Sequence, residues 1–279
     1  MSLLLKKIEV EPQMESKSLF LFQGFDMSYY IKTNLETFVS SKYQYKVLEK
    51  CKSPPCICSL PNDELFCYGF ELADYSFSGS AYILNSYNRI KKLPDGIPCF
   101  GGTGIYYENA VYIFGGSRYG FDLYPIPLNN ARKFDFLQNK WMRLANLPEP
   151  SLYLFITEFF DEILIAEYEV SKIYSYDIFS NIYSEIPLEL AMHSAKILFR
   201  YEDRAYLIDS KRMINVSGIK DSFTWENIGQ INRIAGFKIY QWAYYSGSIY
   251  FGIGKSIYKF FMKKKVAEIE RVITKCNFI

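Results

Sequence analysis

Glycine-rich segments are the first residues whose spacing could do chemistry. The segments "CFGGTG" at 99–104 and "GIGKS" at 252–256 resemble parts of loops whose backbone N–H groups cradle phosphates at the start of a helix. The dinucleotide pattern Gly-x-Gly-x-x-Gly begins at Gly102 but has Tyr107 in place of the third glycine, and the phosphate-loop pattern has Ile249 in place of its leading glycine. Strand-like sequence follows both segments where a helix is required. We therefore expect no nucleotide site at either segment.

Nucleophilic and metal chemistry would need histidines and closely spaced cysteines. His193 is the only histidine, so a Ser-His-Asp or Cys-His catalyst could exist only around it. Cys51, Cys56 and Cys58 are the most closely spaced thiols, but they lack the CxxC spacing and the histidine partners of a tetrahedral zinc site. Acid pairs such as 161–162 fall at expected turns. We expect no catalytic residues, no metal and no cofactor, and hence a protein that is not an enzyme.

Composition and charge point to a β-rich protein without a nucleic-acid or membrane partner. The chain is 49% hydrophobic and 18% aromatic, with 25 Tyr and 23 Phe, residue types that suit pleated, half-buried surfaces. Its 32 basic and 30 acidic residues are interspersed and form no polybasic face. The N-terminal apolar run is too short for a secretory signal, and no later run approaches the ~18 residues that span a membrane. With six cysteines and no signal, we expect reduced thiols in the cytoplasm.

A repeated phrase organises the whole chain. The template is "NAVYIFGG" at 109–116, which consists of a turn residue, a short β-rich run and glycine. Similar phrases recur at intervals of 42 to 52 residues, as the spacing of the first apolar residue in each copy shows. These anchor residues are Leu19, Leu65, Val111, Ile163, Ala205 and Ile249. Six units of nearly constant length indicate a repeat architecture.

Each unit also carries a second signature, an aromatic or apolar residue followed three positions later by Leu or Ile. Unit three has Trp141 and Leu144, and unit four has Tyr183 and Ile186. Four short strands fit into each repeat of about 45 residues, and six such sheets bury their faces when they are arranged radially. The spacing predicts a single all-β domain over 1–279, a six-bladed β-propeller of four-stranded antiparallel blades. The expected blades are 13–55, 56–98, 99–150, 151–190, 191–232 and 233–273, with 1–12 as a closure strand.

These residues resemble the kelch repeat. The order of an apolar run, Gly-Gly, aromatic-Asp and Trp is clearest in unit three, at Gly115-Gly116, Phe134-Asp135 and Trp141. Unit four keeps Tyr176-Asp177 and has Tyr183 in place of Trp. The chain is thus similar to a divergent, stand-alone kelch-repeat propeller, and we expect no BTB, BACK or F-box segment beside it. The resemblance implies the fold and a protein partner, with cytoskeletal and ubiquitin-ligase-related partners among those it permits.

Two connections between the second and third strands of a blade are expected to be long loops, at 70–80 and 117–130. In an antiparallel blade they emerge on the same face as the connections between blades, near Asp95, Glu149 and Lys196. They carry residue types that anchor interfaces. The candidate partner-binding residues are Arg118, Tyr119, Phe121, Asp122, Tyr124, Tyr75 and Phe77. The same aromatic side chains could instead pack on the blade edge, and the sequence leaves both roles open.

The resulting interpretation is a non-catalytic module or scaffold for protein–protein interaction. The alternative is a propeller enzyme, similar to a mutarotase or a hydrolase, that acts on a small sugar-like substrate in the central mouth. That chemistry would require facing carboxylates, or an acid and an arginine, in the mouth. Their presence there would favour the enzyme.

Overall fold

The computed structural model describes most of the chain between Ser18 and Ile273. The described residues are 18–23, 29–34, 36–37, 40–44, 55–72, 74–85, 89–122, 124–167, 172–187, 197–208, 212–217, 224–230, 242–246, 248–253, 256–263 and 266–273. The predicted closure strand at 1–12, Cys51, His193 and Lys196 lie outside these residues.

The described residues form antiparallel sheets whose strands mostly follow one another in the chain. The first sheet has three strands: β1 (Ser18–Gln23), β2 (Tyr29–Asn34) and β3 (Ser40–Gln44). The second has four: β4 (Cys56–Leu60), β5 (Glu64–Glu71), β6 (Phe77–Leu84) and β7 (Ile90–Leu93), with a 3-10 turn at Pro61–Asp63. The third repeat has β8 (Thr103–Tyr107), β9 (Ala110–Phe114), β10 (Ser117–Tyr119), β11 (Pro125–Pro127), β12 (Ala131–Asp135) and β13 (Lys140–Arg143).

The remaining strands form three more sheets of four. The fourth repeat has β14 (Leu154–Phe159), β15 (Glu162–Glu167), β16 (Lys172–Asp177) and β17 (Ile182–Pro187). The fifth has β18 (Ile197–Tyr201), β19 (Arg204–Ile208), β20 (Arg212–Ser217) and β21 (Thr224–Gln230). The last has β22 (Trp242–Tyr245), β23 (Ser248–Ile253), β24 (Ser256–Lys263) and β25 (Val266–Ile273).

The repeated apolar runs form strands that are buried on both faces. In β9, Val111 and Ile113 pack toward the second sheet, whereas Tyr112 and Phe114 pack toward the fourth. This division arises because successive side chains of a strand point to opposite faces of the sheet. A sheet between two neighbouring sheets therefore needs apolar residues at every position of its central strands, which is why the repeat reads as a continuous run.

The sheets are arranged as in a propeller. The inner strands β4, β8, β14 and β18 contact one another in sequence, which joins four blades side by side. The last sheet, β22–β25, packs against the sheet formed by β18–β21 through an aromatic cluster that includes Phe199, Tyr206 and Phe260. The first sheet reaches the last one, because β1 contacts β22 and β23. The all-β propeller prediction is confirmed at this level, but the described part of the chain shows four joined blades and not the predicted six four-stranded ones.

The difference in blade number has a physical origin. Repeat spacing reports how many similar units the chain contains, but it does not report whether each unit forms four strands that abut its neighbours. The first unit forms three strands within its described residues. Among the residues that the structure describes, the inner-strand contacts join four blades side by side, not the predicted six.

Side chains of the third repeat, including its signature residue Trp141, form hydrogen bonds to the segment that connects the second blade to the third. Trp141 donates its indole N–H to the carbonyl oxygen of Pro94 at 2.8 Å, and its ring lies 4.6 Å from that of Tyr68. Arg132 is buried and donates to the Tyr68 hydroxyl at 2.5 Å and to the Ile97 carbonyl oxygen at 2.9 Å. The kelch-like residues therefore join two blades by hydrogen bonds as well as by apolar packing.

The glycine-rich segments belong to this β framework. Segment 99–104 leads into β8, and the strand β9 follows it, so the strand predicted at that position is confirmed. A Cβ atom at Gly104 would lie 2.8 Å from the Sγ atom of Cys56, which shows how closely two inner strands approach. Segment 252–256 spans the end of β23 and the start of β24. Gly104 therefore packs closely between strands, and Gly252 lies within β23.

Candidate interaction surface

The predicted loop at 117–130 is a two-stranded ribbon. It lies between β9 and β12 of the third blade, and its strands β10 and β11 pair in antiparallel register with Arg118 opposite Ile126. A backbone hydrogen bond from Gly120 N to Tyr124 O, 3.0 Å long, closes its tip. Sequence reasoning missed these strands because each has only three residues and β11 contains two prolines.

The ribbon is attached at its base to both connections between blades. Ser117 exchanges backbone hydrogen bonds of 2.7 and 3.1 Å with Phe100, which belongs to the connection from the second blade. Leu128 accepts a bond of 3.2 Å from the backbone N–H of Ser151, in the connection to the fourth blade. The ribbon therefore rises from the face that carries the connections, as expected from the strand order of an antiparallel blade.

The predicted loop at 70–80 is a shorter turn between two long strands. β5 continues to Glu71 and β6 starts at Phe77, so the turn covers only 72–76. The ladder shifts register between Tyr68 and Phe70, and such a bulge lets a strand bend and continue. Within the turn, the Asp74 carboxylate accepts hydrogen bonds from Ser76.

Tyr119 lies where the ribbon meets this turn. Its ring centroid is 5.0 Å from that of Phe100 and 5.7 Å from that of Tyr75. Its hydroxyl donates a short hydrogen bond to the Oε1 atom of Glu71, whose side chain is buried with 4% exposure. Burial, and then this bond to Glu71, raises the pKa of Tyr119, so the phenol stays protonated and remains a donor at neutral pH. Tyr119 therefore has the local packing role.

Other aromatic side chains of the ribbon point into solvent. Phe121 is fully exposed, Tyr124 is 72% exposed and Ile126 is 42% exposed. The Asp122 carboxylate accepts a hydrogen bond of 3.3 Å from the backbone N–H of Tyr124, and Arg118 is exposed.

The candidate residues thus divide into two groups. Tyr119 and Phe77 are partly buried, and Phe77 lies opposite Glu71 in the hairpin of the second blade. The exposed candidates share one region with Ile126. We call this region the ribbon surface, and it consists of Tyr75, Arg118, Phe121, Asp122, Tyr124 and Ile126.

The outer edge of the ribbon is unsuited to strand addition. The bonds from Gly120 N to Tyr124 O and from Leu128 N to Gly116 O define which residue pairs exchange hydrogen bonds. Because these pairs alternate along an antiparallel ladder, the two prolines of Pro125–Pro127 occupy positions where an N–H would point outward. Proline lacks that donor and is found on sheet edges for this reason.

Sequence reasoning missed three residues of this region. Glu71 ends an apolar strand, and a carboxylate at such a position is ordinarily exposed. Phe100 precedes the glycines of segment 99–104 and shows no periodicity that would link it to the ribbon. Ile126 carried a usable signal, because an apolar residue between two prolines is disfavoured in a buried central strand and fits a sheet edge.

The residues expected to border the same region have separate surroundings. Asp95 is exposed and forms an ion pair of 3.4 Å with Lys92, and Glu149 is exposed. Exposed pairs of this kind contribute little to stability.

The inner strands carry the groups that bear on the enzyme alternative. Glu158 on β14 interacts electrostatically with Arg200 on β18. Burial raises the pKa of Glu158 to about 7, although a backbone hydrogen bond and the charge of Arg200 both lower it. Arg200 is buried, donates from Nε to the Glu202 carbonyl oxygen at 2.8 Å and lies 5.4 Å from the centre of the Phe160 ring. An acid and an arginine therefore do occur on neighbouring inner strands, with structural contacts that account for the arginine.

The thiols of the second and third blades are buried and weakly acidic. Burial is the main cause that raises the pKa values of Cys56, Cys58 and Cys99, which disfavours the thiolate needed for nucleophilic attack or metal binding. Among the described ranges, no group of three or more His, Cys, Asp or Glu side chains could hold a metal ion. Within the same ranges, no helix has the length and apolar character needed to cross a membrane.

Comparison with known families identifies one segment. Residues 98–148 match the family model of the Kelch motif, a segment that covers the third blade with its ribbon. A search of curated proteins found no match. Together with the propeller-like arrangement of the sheets, the motif match confirms the resemblance predicted from the sequence and supports a kelch-repeat propeller.

Proposed function

We propose that this protein is a non-catalytic interaction module that binds another protein through the ribbon surface. The observation that carries the proposal is the exposure of Phe121 and Tyr124 on a backbone that is tied to both blade connections. The Kelch motif match supports this class of function, because kelch repeats commonly mediate protein–protein interaction.

The ribbon surface keeps apolar side-chain area exposed to water, and a partner that covers this area would gain free energy. Burial of apolar surface contributes roughly 25 cal/mol per Å², and aromatic side chains bring a large area with few rotatable bonds. Phe121, Tyr124 and Ile126 are exposed together on one ribbon, and clusters of this kind mark contact sites. A partner that covers them gains this energy at a small entropic cost.

The mode of binding follows from the edge of the ribbon. Since Pro125–Pro127 offers no outward N–H at its prolines, a partner strand would gain few backbone bonds there. Recognition through side chains is therefore favoured. Arg118 and Asp122 can each add a polar contact at the margin of the aromatic tip.

The proposal of a non-catalytic role, in preference to the sugar-acting enzyme, draws on the inner strands. Glu158 supplies one carboxylate there, and Arg200 has structural partners. The buried cysteines of the described residues form no disulfide with one another, which supports a reducing compartment such as the cytoplasm. Cytoskeletal or ubiquitin-ligase-related proteins are candidate partners there.

Quantitative affinity purification tests the ribbon surface. The double substitution Phe121→Ala/Tyr124→Ala removes the two most exposed aromatic groups of the ribbon. It is expected to reduce partner recovery about tenfold or more, because truncated interface anchors typically cost about 2 kcal/mol or more. The matched control is Leu137→Ala/Phe179→Ala, which removes side chains of 82% and 72% exposure from other turns.

Proteins recovered equally by the wild type and the control, and lost with the ribbon variant, would support the proposal. Equal recovery of every protein by all three would contradict it. Loss with both variants would indicate nonspecific apolar adsorption, which also contradicts it.

A further inference from the structure

Two hairpins from neighbouring blades meet beneath the ribbon surface. The ring of Tyr119 lies between Phe100 and Tyr75, and its hydroxyl donates to Glu71 at the end of β5. This contact crosses from the third blade to the second. It connects residues that are 48 positions apart in the chain.

The ribbon has little stability of its own beyond this point. Isolated two-stranded hairpins are marginal in water, and β10 and β11 have three residues each. The bridges at Ser117 and Leu128 hold the base, whereas the tip is closed by the backbone bond from Gly120 N to Tyr124 O. Tyr119 is therefore the last anchored side chain before the exposed tip.

The bond between Tyr119 and Glu71 is of a strong type. A hydrogen bond is electrostatically stronger in a site removed from water than in solvent, and Glu71 is buried. Opening the ribbon would break this bond and separate the Tyr119 ring from the rings of Phe100 and Tyr75. The Glu71 side chain of the second blade therefore favours the position in which the ribbon lies against that blade.

We propose that Tyr119 and Glu71 act as positioning residues that lock the ribbon against the second blade and thereby preorganise the ribbon surface for binding. Preorganisation raises affinity because less conformational entropy is lost when the complex forms. The effect on affinity rests on the proposed function. The lock itself can be measured on the free protein.

Amide hydrogen exchange of Tyr119→Phe tests the lock. This substitution removes only the hydroxyl and keeps the ring between Phe100 and Tyr75. We expect the amides of 118–126 to exchange about tenfold faster, as loss of one buried hydrogen bond predicts, while exchange in β14–β17 stays unchanged. Tyr183→Phe is the matched control, because that hydroxyl donates to the Ala145 carbonyl oxygen at 3.0 Å, outside the ribbon.

Glu71→Gln gives a second, conservative variant. Its amide oxygen can still accept from Tyr119, so we expect exchange at 118–126 to lie between that of the wild type and that of Tyr119→Phe. Adding Tyr119→Phe to Glu71→Gln should produce less than the combined effect of the two single substitutions. Additive effects, or unchanged ribbon exchange in Tyr119→Phe, would overturn the lock.

Partner recovery separates this inference from the proposed function. Faster ribbon exchange together with weaker recovery by Tyr119→Phe supports both the lock and its role in affinity. Faster exchange with full recovery supports the lock but overturns preorganisation of the binding surface. Faster exchange in Tyr183→Phe at the same amides would overturn the lock by showing that the ribbon responds to general loosening of the blades.

Discussion

Glu158 lies on an inner strand with its carboxyl group largely withdrawn from water. Burial raises its pKa from the usual 4.5 to about 7, against the smaller lowering effects of a backbone hydrogen bond and Arg200. A raised carboxyl pKa means that the folded state prefers the protonated form. This contribution to stability is therefore fully present below pH 4.5 and is lost as the pH rises through 7.

Glu158→Gln removes that dependence. We expect the variant to match the wild type near pH 4.5 and to be more stable above pH 7 by about 1–2 kcal/mol, since one pKa unit corresponds to about 1.4 kcal/mol and partial solvation reduces the effect. Urea unfolding across this pH range measures it. Glu185→Gln, at an exposed position, controls for loss of one negative charge. A wild-type advantage at pH 8 would refute this account of Glu158.

The sequence indicated which aromatic residues were candidates for partner binding, but it did not indicate which side chains each of them contacts. Phe121, Tyr119 and Tyr124 look alike in the sequence, yet Tyr119 packs between two blades while the other two are exposed. The difference depends on Glu71 and Phe100, which come from distant parts of the chain. No local pattern reports such a meeting.

Strand ends in neighbouring repeats use glycine for close approach of backbones. Gly115 has a φ of +66°, and a Cβ atom there would lie 2.7 Å from the Ser151 carbonyl oxygen and 3.1 Å from Leu154 Cδ1. This strand end and the connection to the fourth blade are therefore fitted to each other. Gly101 has a similar φ of +70°, but a Cβ atom there would have no neighbour within 4 Å.

Gly115→Ala and Gly101→Ala form a matched pair at the element scale. Both should incur the cost of about 1–2 kcal/mol for a left-handed conformation, but only Gly115→Ala adds the clash with Ser151. We expect Gly115→Ala to lower the free energy of unfolding by about 1–3 kcal/mol more than Gly101→Ala. Urea titration of both variants provides the comparison. Equal losses would show that the close contact has no energetic weight.

Elements were predictable where the apolar pattern was long and continuous. β5 and β9 appear as apolar runs because both of their faces are buried, and the sequence indicates them correctly. β10 and β11 were interpreted as loop, since three-residue strands with prolines carry no periodic signal. Their pairing depends on the bridges to Phe100 and Ser151, which are tertiary contacts.

Buried phenols are distributed over several sheets of the molecule. Burial is the main cause that raises the pKa of Tyr112 to about 12, and it also raises the pKa values of other tyrosines above the usual 10. These tyrosines are Tyr68, Tyr119, Tyr176, Tyr183 and Tyr206. The folded state thus holds phenolic protons more tightly than the unfolded chain does.

The whole protein should consequently lose stability in alkaline solution. Each raised pKa contributes stability that is fully present below pH 10 and is lost as the pH rises through the folded-state value. We expect the thermal midpoint to fall steeply above pH 10, with tyrosinate absorbance and loss of near-ultraviolet circular dichroism appearing together. Full tyrosine ionisation at pH 11 with unchanged circular dichroism would contradict this expectation.

At the scale of the molecule, composition and repeat spacing predicted the all-β propeller, and the motif residues of the third repeat indicated the resemblance that the Kelch motif match at 98–148 bears out. Aromatic content and a regular period are global properties that survive in the sequence. The number of joined blades was not predicted correctly, because it depends on how inner strands such as β4, β8, β14 and β18 abut. These contacts form between repeats, so the spacing of residues within one repeat does not predict them.

The ribbon leaves and re-enters its blade through backbone hydrogen bonds. Gly115 donates to the Asn130 carbonyl oxygen at 2.8 Å, and Leu128 donates to that of Gly116 at 2.9 Å. Bonds between backbone groups do not depend on which side chains lie beyond them. The residues of the tip can therefore diverge during evolution, or be exchanged by an engineer, while the blade beneath keeps its register, so one scaffold can acquire new partners without a new fold.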